Sequence, residues 1–483
     1  ALAVTLSGST ANTGFAGTEA TVFTGAGGEF AGIDTVTGSG DDTLTGTTAA
    51  STWTETRYND GTETLAFSGV ATAIGNAASD TLVGGSGVDT FTVDGAGSVT
   101  LGSQDFDGMD TLNGQGNDDV FNLNADFGGT VNGDAGDDTF NLTASQTGLV
   151  DGGADGANGD VINGAATENL FIVSSENGGT ANGTTFANVE NLTGGAAADE
   201  FRFAAGGSLA GSVDGAGGTD ELDVAGAAAV TVTLGDSSAT VLNSGAANGF
   251  SSIETFTGNG TTDVLVATGD ADTFNSTDVN DGTVAGVSYT DFANISGGAG
   301  EDVFNLQHDV TGNVDGGDDA DTFNLSAGVT IGGSIIGGDG GDDDDELVAV
   351  GGAGPNTWNV TGDDAGTLNG QAFSDVENHT GNDTVDNFSL TGALTGTAAA
   401  LGGNDTFSVG DNGGAGFIDG GSGSDSLSYA ASTSGVTVDM AVVDGIESIT
   451  GSCSSDTFNI DGNVGNAISI VGGGGTNDVV AVV

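Results

Sequence analysis

The stretch GQGNDDVFNLNADFGGTVNGDAGDDTFNL, residues 114–142, contains the repeat that decides the fold. Its two Asp-x-Phe-x-Leu segments place Phe121 and Phe140 19 residues apart. Within each segment apolar and polar residues alternate, which is typical of a short strand with one buried face. Val131 lies between them, ten residues after one Phe and nine before the other, in a second short apolar segment. The stretch therefore predicts a coil of about 19 residues that contains two short strands and two turns.

The same Asp-x-Phe phrase recurs along most of the chain. Its copies begin at Asp89, Asp119, Asp138, Asp302, Asp321, Asp405 and Asp456. Stacked coils of this kind predict an all-β fold, a parallel β-roll or β-helix solenoid in which Phe lies on Phe and Val on Val. We expect residues 1–483 to form one elongated solenoid, with irregular stretches near 45–75, 225–250 and 391–401, which fit the repeat poorly.

The composition requires a source of positive charge. The 483 residues include 92 Gly and 69 Asp or Glu, but the only basic side chains are Arg57 and Arg202, so the formal charge is −67. Such a charge opposes compaction, and oxygen-rich carboxylates favour Ca²⁺ as the neutralising ion. We expect no nucleic-acid partner and no membrane insertion, because the chain has no basic patch and no apolar stretch of about 18 residues.

The turns before the strands indicate where calcium binds. Gly84–Asp89, Gly297–Asp302 and Gly420–Asp425 all read Gly-Gly-x-Gly-x-Asp. In this motif the chain resembles the RTX family of calcium-binding proteins. The resemblance implies a parallel β-roll with Ca²⁺ bound in its turns. Glycine allows the backbone to curl so that its carbonyl oxygens converge, and the final Asp adds a carboxylate. Because calcium takes six to eight oxygens, a neighbouring turn must complete each site.

Calcium sites should be best where good turns fall on consecutive coils. This criterion selects three pairs of aspartates: Asp119 with Asp138, Asp302 with Asp321, and Asp405 with Asp425. Asp89 is an additional candidate from an isolated copy. The motif occurs at about every second turn, so we expect one principal calcium ladder along one edge of the solenoid. The alternative is that these are simply tight, solvated turns, since Gly and Asp are common turn formers.

A second phrase, Phe-x-x-Val-Glu-x-x-Thr-Gly, recurs at longer intervals. It contains Glu190, Glu254 and Glu377, and its second half contains Glu447. No chemistry follows from this pattern, and we expect these glutamates to be solvent-facing turn residues.

Nothing in the sequence predicts a catalytic centre. His308 and His379 are 71 residues apart, lie in no metal-binding spacing and are expected at the surface. No Lys is present, and no Gly-x-Ser-x-Gly elbow opens a helix. We therefore expect a protein that is not an enzyme.

The leading hypothesis is a secreted, calcium-dependent structural protein that assembles with copies of itself at the bacterial cell surface. It would be a surface-layer (S-layer) lattice subunit, or a subunit of an extracellular filament or biofilm matrix, with cell-surface polysaccharide as a second partner. Both ends of the sequence are apolar and strand-like, which suggests that coils associate end to end. The first alternative is the stalk of a large RTX-type adhesin. A calcium-dependent, polysaccharide-acting β-helix enzyme is a further alternative.

Overall fold

The computed structural model describes residues 3–9, 14–19, 29–77, 79–242, 249–338, 344–460 and 468–482. These residues form 55 β-strands and one short 3-10 helix, η1, at Met440–Val442. The all-β prediction is confirmed. No helix in the described ranges is long and apolar enough to cross a membrane.

The strands are short, and most have two to seven residues. In chain order they are β1 Ala3–Ser9, β2 Phe15–Glu19, β3 Glu29–Ile33, β4 Thr35–Thr45, β5 Thr52–Thr54, β6 Arg57–Asn59, β7 Thr64–Ile74, β8 Thr81–Val83, β9 Thr90–Gly95, β10 Ser98–Leu101, β11 Gln104–Asp107, β12 Thr111–Asn113, β13 Val120–Leu123, β14 Thr130–Gly136, β15 Thr139–Leu142, β16 Leu149–Asp155, β17 Val161–Asn163, β18 Leu170–Ser175, β19 Gly178–Ala181, β20 Thr184–Ala187, β21 Asn191–Thr193, β22 Glu200–Phe203, β23 Val213–Asp214, β24 Glu221–Asp223, β25 Thr231–Thr233, β26 Ser238–Ala239, β27 Phe250–Ser251 and β28 Thr255–Thr257. The remaining strands are β29 Val264–Val266, β30 Thr273–Asp278, β31 Asp281–Val284, β32 Val287–Thr290, β33 Asn294–Ala299, β34 Val303–Leu306, β35 Val314–Asp318, β36 Thr322–Ser326, β37 Ile335–Gly338, β38 Glu346–Val350, β39 Asn356–Gly362, β40 Ala365–Leu368, β41 Gln371–Ser374, β42 Asn378–Thr380, β43 Asp386–Leu390, β44 Ala393–Ala399, β45 Gly402–Gly403, β46 Thr406–Val409, β47 Gly414–Asp419, β48 Ser422–Gly423, β49 Ser426–Ser428, β50 Thr437–Asp439, β51 Val443–Asp444, β52 Ser448–Thr450, β53 Thr457–Ile460, β54 Ser469–Val471 and β55 Val479–Val482.

The chain forms two compact units. Unit 1 contains Ala1–Ala228 and Ser238–Thr255, and unit 2 contains Ala229–Ser237 and Phe256–Val483. The predicted irregular stretch 225–250 includes this exchange between units, and its residues 243–248 lie outside the described residues.

In unit 1, successive strands of the chain alternate between two stacks. Stack 1 contains β8, β12, β14 and β16, and stack 2 contains β9, β13, β15 and β17, all paired in parallel within their stack. Each coil therefore contributes one strand to each stack, as the sequence predicts. The register aligns Phe121 with both Phe91 and Phe140, and the rings stack with centroids 4.8 and 5.1 Å apart. These buried columns of aromatic and aliphatic side chains form the core.

Some coils contain an antiparallel insertion of three strands, which we call a meander. In unit 1 the meanders are β5–β6–β7, β9–β10–β11 and β18–β19–β20, with β1–β2–β3 as a further one, and in unit 2 they are β30–β31–β32 and β39–β40–β41. A coil that contains a meander has about 30 residues, as between the aligned Phe91 and Phe121. A coil without a meander has 19, as between the aligned Phe121 and Phe140. The meander β5–β6–β7 covers most of the stretch 45–75, whereas β44 occupies 393–399 in the stretch 391–401.

Unit 2 repeats this organisation. One stack contains β29, β33, β35 and β37, and the other contains β30, β34, β36, β38 and β42. Phe304 aligns with Phe274 and Phe323, with ring centroids 4.7 and 5.0 Å apart. The turns between strands of the two stacks hold the aspartates that the sequence singles out.

Candidate metal centre

The aspartates that precede the strands are linked from coil to coil by hydrogen bonds. The backbone N–H of Asp119 donates to Oδ1 of Asp138 at 2.7 Å. Asp302 donates in the same way to Asp321 at 2.8 Å, and Asp405 donates to Asp425 at 2.7 Å. The structure thus brings together each of the three pairs that the sequence selects. The carboxylate that precedes one strand therefore binds the backbone amide that precedes the previous strand of the same stack.

These pairs belong to longer ladders, in which each member donates its backbone N–H to the side-chain carboxylate of the next. The four longest ladders are Asp89–Asp119–Asp138–Asp160–Glu190 and Asn169–Asp199–Asp220–Glu254 in unit 1, and Asp272–Asp302–Asp321–Asp345–Glu377 and Asp386–Asp405–Asp425–Glu447 in unit 2. Two shorter ladders are Ser51–Asp80–Asp110 in unit 1 and Val436–Asp456–Asp478 in unit 2. Asp89 donates to Asp119 at 2.7 Å, so the isolated candidate also joins a ladder.

The expectation of one principal ladder along one edge is wrong. In unit 1 the first ladder lies in turns that lead into stack 2, before β13, β15, β17 and β21. The second ladder lies in turns that lead into stack 1, before β18, β22 and β24. The shorter ladder of Asp80 and Asp110 also lies in turns that lead into stack 1, before β8 and β12, so both edges carry ladders on either side of the meander β18–β19–β20.

Seven of the mid-run ladder aspartates are buried and only half satisfied. Oδ1 accepts the backbone N–H of the preceding coil, but Oδ2 has no hydrogen-bond partner among the described residues. This holds for Asp119, Asp138, Asp160, Asp220, Asp302, Asp405 and Asp425. Their exposed fractions are 1% or less. A buried carboxylate oxygen without a partner is costly, so each one calls for a proton or a cation.

Asp89 and the other aspartates that begin a ladder have a different environment. Asp89 is half-buried, and its Oδ2 accepts the backbone N–H of Gly85 in its own turn. Oδ2 of Asp386 likewise accepts the N–H of Asn382 at 2.9 Å. These carboxylates, like that of Asp199, which accepts the N–H of Gly195, have a protein donor where the seven aspartates named above have none, so they fit a cation less well.

The first glycine of each turn is required by close approach. A Cβ at Gly133 would lie 2.1 Å from Oδ2 of Asp138, and one at Gly297 would lie 2.0 Å from Oδ2 of Asp302. The carboxylate is folded back against the turn that precedes it. At the second position of the turn, Gln115 has a φ of 85°, which is a conformation that favours glycine. The turns therefore hold a strained backbone around a carboxylate.

Burial is the main influence on the protonation of the ladder. It raises the pKa of Asp119 and Asp160 to about 7, and the pKa of Asp138, Asp302 and Asp405 to about 6. The backbone hydrogen bond to Oδ1 lowers each pKa, but by less than burial raises it. At neutral pH these groups lie near the point at which they lose their protons, and a bound divalent cation would favour the charged form.

Protein cations do not neutralise these sites. In the described part of the chain both ion pairs are made by Arg202, with Glu200 and with Asp223 at 2.9 Å. The donor set of the ladders consists of carboxylate and carbonyl oxygens, which suits a hard ion such as Ca²⁺. The mid-run residues fit calcium, with Asp119 and Asp138, Asp302 and Asp321, and Asp405 and Asp425 as the side chains that would hold it.

The glutamates of the second phrase are the functional residues that sequence reasoning missed. Each ends a ladder: Glu190, Glu254, Glu377 and Glu447 accept the backbone N–H of the last aspartate at 2.8–3.0 Å. Glu190 is buried, which is contrary to the expectation for these residues. A signal was present in the sequence, because Glu190 stands one residue before the Asn-Leu-Thr strand as Asp138 stands before its own strand.

His379 is also misplaced by the sequence prediction. It is fully buried in β42, stacks on Trp358 with ring centroids 4.9 Å apart, and meets the edge of Phe373 at 4.6 Å. Burial lowers the pKa of His379 to about 3, so the ring is neutral. It fills the core position that Leu192 fills in the same phrase of unit 1. His308 is exposed.

Comparison with known proteins adds no name to this geometry. No protein-family model matches the chain, and no curated protein is significantly similar to it.

Proposed function

We propose that this chain is a calcium-dependent structural protein of the bacterial cell surface that assembles with copies of itself. It would serve as a subunit of a surface lattice, an extracellular filament or a matrix. The observation that supports this proposal is the set of buried ladder carboxylates whose Oδ2 has no partner among the described residues. The formal charge of −67 and the presence of only two basic side chains leave these carboxylates dependent on ions from solution.

Calcium would act on folding in this proposal. Without it, each ladder places negative charges on consecutive coils, which repel one another and are costly to bury. With it, the ion is shared by adjacent turns and its binding free energy contributes to folding. Extracellular calcium modules work at about 10⁻⁴ to 10⁻³ M, which suits a protein that folds after it leaves the cell.

An apolar surface in unit 2 is available for contact with a further coil. The last described coil presents Val471, Val479, Val480 and Val482, each at least half exposed. Another coil, of the same polypeptide or of a neighbouring copy, can cover these side chains and pair with the exposed strands. Because apolar burial is non-directional, strand pairing would supply the register of such a contact.

Electron microscopy and unfolding experiments on the purified chain test the proposal. We expect ordered arrays or filaments in calcium, and unfolded, dispersed chains after chelation at low ionic strength. The double variant Asp302→Ala and Asp321→Ala should lose calcium affinity and thermal stability. The matched double variant Asp60→Ala and Asp107→Ala, which lies outside the four ladders, should lose much less. Chains that stay folded and ordered in chelator, or equal losses in the two double variants, would contradict the proposal.

A further inference from the structure

One turn in unit 1 is longer than the others and brings a third carboxylate to the end of a ladder. The turn from Gly152 to Asp160 has nine residues, whereas the turn from Gly133 to Asp138 has six. Consequently Asp138 and Asp160 are 22 residues apart rather than 19. The additional residues include Asp155, the last residue of β16.

The longer turn is held in place by a carboxylate of the preceding coil. Asp137 accepts the backbone N–H of Ala157, Asn158 and Gly159 at 3.3, 3.0 and 2.9 Å. The side-chain amide of Asn158 donates to it as well, at 2.9 Å. These bonds occupy both carboxylate oxygens of Asp137.

Glu190 enters the same region from the coil that follows. Its Oε2 accepts the backbone N–H of Asp160 at 2.9 Å, and its Oε1 accepts the side-chain amide of Asn177 at 2.6 Å. Gly159 makes room for it, because a Cβ there would lie 2.9 Å from Cβ of Glu190. The glutamate is thus fixed in position, with its charge buried.

Three carboxylates meet at this point. One oxygen each of Asp155, Asp160 and Glu190 lies within 4.8 Å of the others, and within the described ranges no other group of three such residues meets this condition. Acidic residues alone do not make a site. Here, however, Asp160 is completely buried and its Oδ2 has no hydrogen-bond partner among the described residues. A buried carboxylate in that state, with two further carboxylates close to it, calls for a proton or a cation, and a divalent cation can serve all three groups at once.

We propose that Asp155, Asp160 and Glu190 form a divalent-cation site that joins the lengthened turn to the following meander coil. Three carboxylate ligands and no nitrogen or sulfur ligand fit calcium best. The site differs from the ladder pairs because its ligands include the terminal glutamate and an exposed aspartate outside the ladder. It rests on the proposed function only for the identity of the ion.

Calcium stoichiometry of the full chain tests the site, with calcium chloride as the probe. Equilibrium dialysis at saturation should show one ion fewer per chain in Asp155→Asn and in Glu190→Gln than in wild type. Asp94→Asn is the matched control for Asp155→Asn, because Asp94 is also exposed, accepts one bond from Asn124 at 3.0 Å, and belongs to no ladder and to no such trio in the described residues. It should bind as many ions as wild type.

A second readout guards against misfolding of Glu190→Gln. Calcium should slow amide hydrogen exchange in residues 155–160 of wild type, and Asp155→Asn should abolish that protection, although its side chain is exposed in the fold. If wild type binds calcium but Asp155→Asn and wild type bind equal numbers of ions, this site is refuted and the proposed function stands. If wild type binds no calcium, both are refuted.

Discussion

Replacing Asp119 with Asn should stabilise the calcium-free protein and destabilise the calcium-bound one. Asp119 is completely buried, and its Oδ1 accepts the N–H of Asp89 at 2.7 Å while Oδ2 has no described partner. Asn keeps the acceptor and removes the charge. The fold accepts Asn at a ladder position, because Asn169 occupies one and donates its amide to the carbonyls of Ala165 and Thr167 at 2.9 and 2.8 Å.

The pKa of Asp119 determines how far the free energy of unfolding should differ between the variant and wild type. Burial raises it from 3.8 to about 7, and about three pKa units correspond to about 4 kcal/mol. Because the folded-state pKa lies above the unfolded one, the neutral form stabilises the fold below pH 3.8, and this stability is lost as the pH rises to about 7. Calcium-free Asp119→Asn should therefore exceed wild type by up to about 4 kcal/mol at pH 8 and differ little at pH 4. In calcium, wild type should be more stable than the variant, because the variant lacks a carboxylate that would bind the ion.

Urea unfolding followed by circular dichroism, in chelator and in calcium, measures both differences. Asp94→Asn is the control, because Asp94 is exposed and accepts one bond from Asn124 at 3.0 Å. It should shift stability by less than about 1 kcal/mol in either condition. The reasoning fails if calcium-free Asp119→Asn is less stable than wild type at pH 8, or if calcium stabilises variant and wild type equally.

Three further predictions concern the whole ladder, its glycines and the buried histidine. In chelator the melting temperature should fall between pH 5 and pH 8 as the buried aspartates ionise, and calcium should restore it; a flat calcium-free profile would contradict the raised pKa values. Gly133→Ala should lower the free energy of unfolding by about 1–3 kcal/mol, because its Cβ would lie 2.1 Å from Oδ2 of Asp138. In the same urea titration the control Gly87→Ala, whose Cβ would have no atom within 4 Å, should stay within about 1 kcal/mol of wild type. The free energy of unfolding of His379→Leu should rise by about 3 kcal/mol relative to wild type as the pH falls from 6.5 to 4. The reason is that a folded-state pKa of about 3 makes wild type lose stability below pH 6.5, and parallel pH profiles would refute it.

The two-strand coil was predictable because its signal is local. Alternation around Phe121 and Phe140 specifies one buried face, and the 19-residue interval specifies which strands align. The paired aspartates follow from the same interval, since any residue that precedes the Phe by two positions must stack on its equivalent in the next coil. Local pattern and long-range register thus agree in these coils.

The change of edge was not predictable from the spacing. A meander such as β18–β19–β20 lengthens its coil to 30 residues and adds antiparallel strands to one stack, which interrupts the 19-residue interval from which the edge was predicted. Its strands look like any others in the sequence. The position of the second phrase is the signal that marks a meander. Glu190 and Glu377 each end a ladder, and each lies just after a meander.

The environment of single side chains was the least predictable part. His379 is buried because the core column at its position accepts a flat ring between Trp358 and Phe373, and no spacing rule contains that information. At the amino-terminal end, the pairing of the first strand was not predictable from the local pattern. There β1 pairs with β2 on one side and with β4 on the other.

The hydrogen bonds of each ladder have one polarity, from the amide of an earlier coil to the carboxylate of a later one. A carboxylate that is lost therefore strips its bond from the coil before it, and the coil after it keeps its own acceptor. A substitution at one ladder carboxylate should therefore expose an amide to hydrogen exchange in the turn before it rather than in the turn after it.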